Sequence, residues 1–113
     1  MSIDKYFDIE WTHAARDDLD EIIDYISLDS INKAIKINDR LVSKVDTIER
    51  FPSRGRIVPE LKKLGIKSYH EIISPPYRIM YKIEESKSLI MILGIFDGRR
   101  DLETILIDRL FDD

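Results

Sequence analysis

The stretch YRIMYKIEESKSLIMILGIFDGRRD, residues 77–101, joins the most strand-like residues of the chain to its most concentrated positive charge. Tyr77, Ile79, Tyr81 and Ile83 alternate with Arg78, Met80 and Lys82. A period of two places the sets on opposite faces of a β-strand, so this segment predicts a strand covered on one side. The polar turn Glu84 to Lys87 leads into SLIMILGIF, Ser88 to Phe96, apolar at both parities apart from Gly94. Such a run predicts a central strand with both faces occupied. It breaks at Asp97-Gly98, a turn dipeptide, which presents Arg99 and Arg100 as a rim at the strand end.

Working outward toward the N-terminus, Ile66 to Ile73 has strand character and Ser74-Pro75-Pro76 forces a turn, predicting an antiparallel hairpin that the next strand extends. Pro52-Ser53-Arg54-Gly55-Arg56 reads as a basic loop, and Pro59 starts a brief helical turn, Glu60 to Leu64, closed by Gly65. Two longer helices precede it. Thr12 caps one with an apolar stripe of Ala15, Leu19, Ile22 and Ile26, and Ser30 caps another with Ala34, Leu41, Val45 and Ile48, running to Phe51-Pro52. Their short link predicts an antiparallel helical hairpin on one face of the sheet. Asp17, Asp18, Asp20, Glu21 and Asp24 read as a solvated face of the first helix. Tyr6 to Trp11 is a short first strand, and Asp101 begins an amphipathic final helix with Leu102, Ile105, Leu106 and Leu110 on one side, expected to pack on the sheet. The fold class is therefore α+β, with a mainly antiparallel sheet, within a single domain over residues 1–113.

Composition narrows the function. The net charge is −4, from 22 acidic and 18 basic residues, so any polyanion contact must be local rather than spread over the surface. With no cysteine, disulfides and thiolate metal sites are excluded, and His13 and His70 lack ligand spacing, so neither metal nor cofactor is assigned. The N-terminal residues have no signal pattern and no apolar run is long enough to span a membrane, which points to a cytoplasmic protein.

WTHAARDDL (residues 11–19), FPSRGRIVPEL (51–61), YRIMY (77–81) and IFDGRRDL (95–102), in that order and at that spacing, resemble the RelE/ParE toxins of bacterial and archaeal toxin–antitoxin pairs. FPSRGRIVPEL and GRRDL are more similar to the ParE branch, associated with DNA gyrase, than to the ribosome-dependent messenger RNA endonucleases of the RelE branch. The resemblance implies a growth-inhibiting toxin of a type II, plasmid-stabilising pair. Its partners would be gyrase and a cognate antitoxin with a DNA-binding head and a disordered tail, with no sequence-specific nucleic-acid binding of its own. Arg78, Arg99 and Arg100 are the candidate target-binding residues, since planar guanidinium forks suit anchoring at a rim.

The alternative is a metal-independent endoribonuclease acting on the ribosome, which needs proton-transfer groups and cations around a phosphate. His70, Arg78 and Arg100 would serve, assisted by Lys67 and Tyr69. Departures from the family pattern weigh against it: His70 stands in the strand Tyr69-His70-Glu71-Ile72 where many relatives carry arginine, Asp97 replaces a histidine before Gly-Arg-Arg, and Asp-Leu-Glu-Thr after Arg100 holds no tyrosine. A third reading is a non-toxic partner-binding module of the same fold.

Overall fold

The computed structural model describes residues 6–111. In chain order the elements are β1 (Asp8–Trp11), α1 (His13–Ser27), α2 (Ile31–Asp46), β2 (Arg56–Ile57), α3 (Pro59–Lys62), β3 (Tyr69–Ser74), β4 (Tyr77–Glu84), β5 (Leu89–Asp97) and α4 (Leu102–Phe111). The strands form one five-stranded sheet in the order β1-β5-β4-β3-β2. All pairings are antiparallel except that of β1, which lies parallel to β5, a pairing that needs a long connection and has nearly the whole chain between the two strands. Both caps form as the sequence predicts. The Thr12 hydroxyl accepts from the Ala15 amide and the Ser30 hydroxyl from the Lys33 amide, each at 3.2 Å.

The hairpin covers one face of the sheet. Ala15, Leu41, Val45 and Ile48 meet Ile72, Ile79, Tyr81, Ile90, Ile92 and Ile95 in the larger core cluster. On the opposite face Val58, Leu61, Leu102 and Leu106, from α3, its N-terminal flank and α4, pack on Met80 and Phe96. The final helix thus packs on its own sheet, and β4 is covered on both sides, not one. The alternation alone leaves Met80 on an open face, but α3 and α4 close over it and leave it 1% exposed. The apolar residues of β5 change parity within the strand, from Ile90 and Ile92 to Ile95 on the same face. A β-bulge accounts for this: Met80 and Tyr81 pair with Gly94 and Ile92, leaving Leu93 as the extra residue.

Several boundaries differ from the sequence reading. α2 stops at Asp46, not at Phe51-Pro52, because Thr47, Ile48 and Glu49 donate three residues back and the Thr47 hydroxyl takes the Lys44 carbonyl at 2.6 Å, tightening the last turn. Ile48 is still carried into the core. α3 ends at Lys62 before a turn to Gly65, whose φ of 81° suits glycine. β1 and β3 are shorter than predicted, and the two-residue β2 was not foreseen.

The loop between α2 and β2 is tied to the sheet by one phenol. The Tyr81 hydroxyl donates to the Pro52 carbonyl at 2.6 Å and accepts from the Gly55 amide at 3.1 Å. Gly55 itself must be glycine, since a Cβ there would collide with the Glu71 carbonyl oxygen and stand 2.5 Å from the Tyr81 hydroxyl. Tyr81→Phe removes both bonds while keeping the buried ring. Leaving two backbone groups unpaired should cost about 1–3 kcal/mol in urea unfolding, and a loss below about 0.5 kcal/mol would show that the loop is held by other means.

Candidate functional site

The sheet order brings the end of β5 between α1 and α4, and a cleft of about 410 Å³ opens there. Ile95 and Phe96 lie in it from β5, with Asp18, Ile22 and Tyr25 from α1, Leu102, Ile105 and Arg109 from α4, and Arg99 and Arg100 from the turn. Two of the three predicted target-binding arginines are therefore neighbours at one opening. They differ in state. Arg99 is bound to Asp97 through Nε to Oδ1 at 2.9 Å and Nη2 to Oδ2 at 2.7 Å. Asp97 also accepts from the Arg99 amide at 3.0 Å, and its carboxyl is held down at about 2, chiefly by the Arg99 side chain. The Arg100 side chain has no hydrogen-bond or ion-pair partner among the described residues and is exposed.

The cleft owes its shape to a pair that the sequence reading misplaced. β1 ends at Trp11 opposite Ile92, so among the described residues the outer edge of β5 has no strand beyond that point. Asp18 Oδ2 accepts from the Ile95 amide at 3.0 Å, and Arg109 Nη1 donates to the Leu93 carbonyl at 3.0 Å. The two side chains then bind each other bidentately, both bonds at 3.0 Å. The Arg109 guanidinium carbon also lies 5.1 Å from the Phe96 ring centroid. Gly94 leaves the room for this, since a Cβ would come within 2.8 Å of Arg109 Nη1 and 2.5 Å of Phe96. Asp18 is thus a structural anchor and not part of the solvated acidic face. Helical spacing could not separate it from Asp17, because its partners lie 77 and 91 residues away.

Arg78 stands elsewhere, on the face covered by α3 and α4. Its side chain is 12% exposed and surrounded by carboxylates. Nη1 and Nη2 reach the two Glu60 oxygens at 2.7 and 2.6 Å, and Nε reaches Glu71 Oε1 at 2.8 Å. Arg56 Nε holds the other Glu71 oxygen at 2.7 Å. Paired with Arg78, the Glu60 carboxyl is pulled below the usual range, and the Arg78 guanidinium is held charged. Glu60 and Glu71 were not singled out in the sequence. An acid in mid-strand, at the parity opposite Ile72, was the available signal.

His70 occupies a third environment. It faces the α1–α2 side, its ring stacked on Tyr81 at 5.7 Å between centroids, with Nδ1 buried and unbonded. Burial holds its pKa below the usual histidine value, which favours the neutral ring at pH 7. Tyr81 lies four residues along β4 from Tyr77, the partner of Asp97, and His70 and Asp97 stand on the strands either side of β4, so His70 is roughly 16 Å from the arginine turn. The structure does not gather His70, Arg78 and Arg100 around one point. Lys67 lies outside the strands, and Tyr69 sits beneath Lys82, whose Nζ is 5.9 Å from its ring centroid. Among the described residues no group of three or more His, Asp or Glu could hold a metal ion, and no helix is long and apolar enough to cross a membrane.

The Arg56–Glu71–Arg78–Glu60 chain predicts a sharp mutational response. Glu71 is 2% exposed and neutralises Arg78 from within the sheet. Glu71→Ala leaves Arg78 with Glu60 as its remaining carboxylate and removes the charged acceptor of Arg56 Nε and Arg78 Nε, and should destabilise the protein by about 1.5–3 kcal/mol in chemical denaturation. A change under about 1 kcal/mol, the worth of a surface ion pair, would contradict the burial argument.

Comparison with known proteins agrees with this architecture. No curated protein sequence matches significantly. Among solved structures, the toxin–antitoxin complex RelBE2 from Mycobacterium tuberculosis superposes with a TM-score of 0.63 at 19% identity, over 86% of this chain and 97% of the other. The chromosomal ParDE toxin–antitoxin system from P. aeruginosa gives 0.65 at 23% identity, over 81% and 96%. The isolated RelE toxin of E. coli gives 0.58 at 14% identity, over 94% and 99%. At these identities the structures establish the shared fold. The sequence profile of the ParE toxin of type II toxin–antitoxin systems matches residues 9–102, from β1 through the arginine turn to the start of α4. The chain belongs to the ParE toxin family of type II toxin–antitoxin systems.

Proposed function

We propose that this toxin inhibits growth by binding DNA gyrase through the arginine-edged end of the α1–β5–α4 cleft, and that a cognate antitoxin with a DNA-binding head and a disordered tail neutralises it. The observation that carries the reading is the state of Arg100. It is an exposed guanidinium at the mouth of a preformed cleft, next to an arginine already bound to its own carboxylate. Such an anchor recognises an acidic feature of a protein surface without transferring a proton. The match to the ParE toxin family supports this choice of target, and plasmid stabilisation is the role such a pair would serve.

The placement of the other candidates favours the same reading over RNA cleavage. A ribonuclease needs an acid, a base and cations converging on one phosphate. Here the titratable histidine faces the helical hairpin and Arg78 is taken up by Glu60 and Glu71 on the other side of the sheet. Purified protein should inhibit gyrase supercoiling and leave ribosome-bound messenger RNA intact. Arg100→Ala should weaken that inhibition at least tenfold and shift stability by less than about 0.5 kcal/mol, as exposed substitutions do. Codon-phased cleavage of translating messenger RNA, lost in His70→Ala, would overturn the gyrase reading in favour of the nuclease.

A further inference from the structure

The cleft, whose three carboxylates balance its three arginines, adjoins a more basic surface. Tyr25 and Arg99 line both the cleft and a second groove of about 990 Å³, whose wall is α2 with Lys33, Lys36 and Arg40. Lys44 follows Arg40 by one helical turn and opens a third hollow of about 310 Å³, where Arg54 and Arg56 stand. Lys33, Lys36, Arg40 and Lys44 recur at spacings of three and four, so they share one flank of α2 over about 16 Å of helix. Lys33 pairs with Asp29 and Arg56 with Glu71. Lys36, Arg40, Lys44 and Arg54 have no side-chain hydrogen bond or ion pair among the described residues. Asp46 falls away from this flank, while Asp39 lies three residues from Lys36 at the flank's edge without an ion pair to it among the described residues.

This is a local concentration of cations on a chain whose net charge is −4. α2 also separates two kinds of exposed surface. Ile31, Ile35 and Val42 are 68%, 54% and 37% exposed and lie on the flank opposite the cations, beyond the buried stripe. A protein partner seeks apolar surface and finds lysine unfavourable at the centre of a contact. A row of unpaired ammonium and guanidinium groups instead suits a regular polyanion, whose condensed counterions it displaces. Single-stranded nucleic acid is normally held by a row of aromatic rings beside the cations, whereas among the described residues Tyr25 is the aromatic that lines the groove and Phe51 stands apart near Arg54. The straight ridge therefore favours a stiff duplex.

We propose that the track from Lys36 along Arg40 and Lys44 to Arg54 contacts the phosphodiester backbone of duplex DNA, without reading bases. The inference rests on the gyrase reading for its biological setting, since gyrase acts on duplex DNA. Arg100 would engage the protein while α2 leans on the DNA it holds. The contact is electrostatic, so it is weak at physiological salt and steeply salt-dependent.

The test is fluorescence anisotropy of the purified chain with a labelled random-sequence 20-base-pair duplex, titrated at several salt concentrations. Four neutralised phosphates predict a slope of log K against log salt between about −3 and −4. Lys36→Glu/Arg40→Glu should lower affinity at least tenfold and flatten the slope by about 2. Lys62→Glu/Lys87→Glu carries the same change in net charge away from the track and should stay within about twofold. Lys36→Gln/Arg40→Gln should lose affinity in the same direction, and the melting temperature of each variant confirms folding. Absence of binding at low salt overturns the proposal. Equal loss in the two charge-reversed pairs reduces it to net charge, and tighter binding of a single-stranded RNA of equal length replaces duplex DNA by RNA. Binding only to a protein partner through the same residues also overturns it. Gyrase inhibition without DNA binding sinks this inference alone, whereas DNA binding without gyrase inhibition sinks the function proposed above and leaves this contact standing.

Discussion

Asp18 and Arg109 stand where a strand would otherwise run. β1 is only four residues long, and past Ile92 the outer edge of β5 faces no strand among the described residues. An unpaired edge leaves backbone groups unsatisfied and invites foreign pairing. A carboxylate from α1 takes the Ile95 amide, a guanidinium from α4 takes the Leu93 carbonyl, and the two close on each other. Three elements that sit on two sides of the sheet are thereby fixed at one place. The cleft walls, α1 and α4, and its floor, β5, are what this bracket joins, and the turn bearing Arg99 and Arg100 starts within a few residues of it.

Magnitudes explain why the fold places its charges so unequally. The exposed Lys33–Asp29 pair is worth a fraction of a kcal/mol. A buried carboxylate such as Glu71 is tolerated only with matched partners, because losing one leaves a desolvated charge. Arg56, Arg78, Glu60 and Glu71 are balanced two against two, and together they fasten β2, α3 and β4 to β3. Arg100 is left outside every such arrangement. Of the arginines that the sequence nominates, the fold employs Arg78 to hold itself together, neutralises Arg99 locally, and leaves Arg100 to face solvent.

Most of the architecture was legible because it depends on local pattern. The alternation from Tyr77 to Ile83, the doubly apolar β5, the Thr12 and Ser30 caps and the proline turn after β3 each carry their own signal, and the resemblance followed their order. The misread features depend on distant partners. Met80 looked outward because nothing near it announces that α4 returns over that face. Asp18 looked like its acidic neighbours because its role is set by Ile95 and Arg109. The early end of α2 is decided by a hydroxyl–carbonyl bond at Thr47 rather than by a breaker residue. Candidate arginines could be named by type, but their availability could not, since that depends on which carboxylates the fold brings to each.

The most direct measurement is native-state hydrogen exchange at the Ile95 amide, compared between the natural chain and Asp18→Ala. A charge-assisted hydrogen bond worth about 1.5–3 kcal/mol should make that amide exchange roughly 10- to 100-fold faster in the variant, beyond any change at the amides in the middle of β4. Equal protection of Ile95 in both proteins would contradict the claim that the Asp18–Arg109 bracket closes the edge of β5 and fixes the cleft.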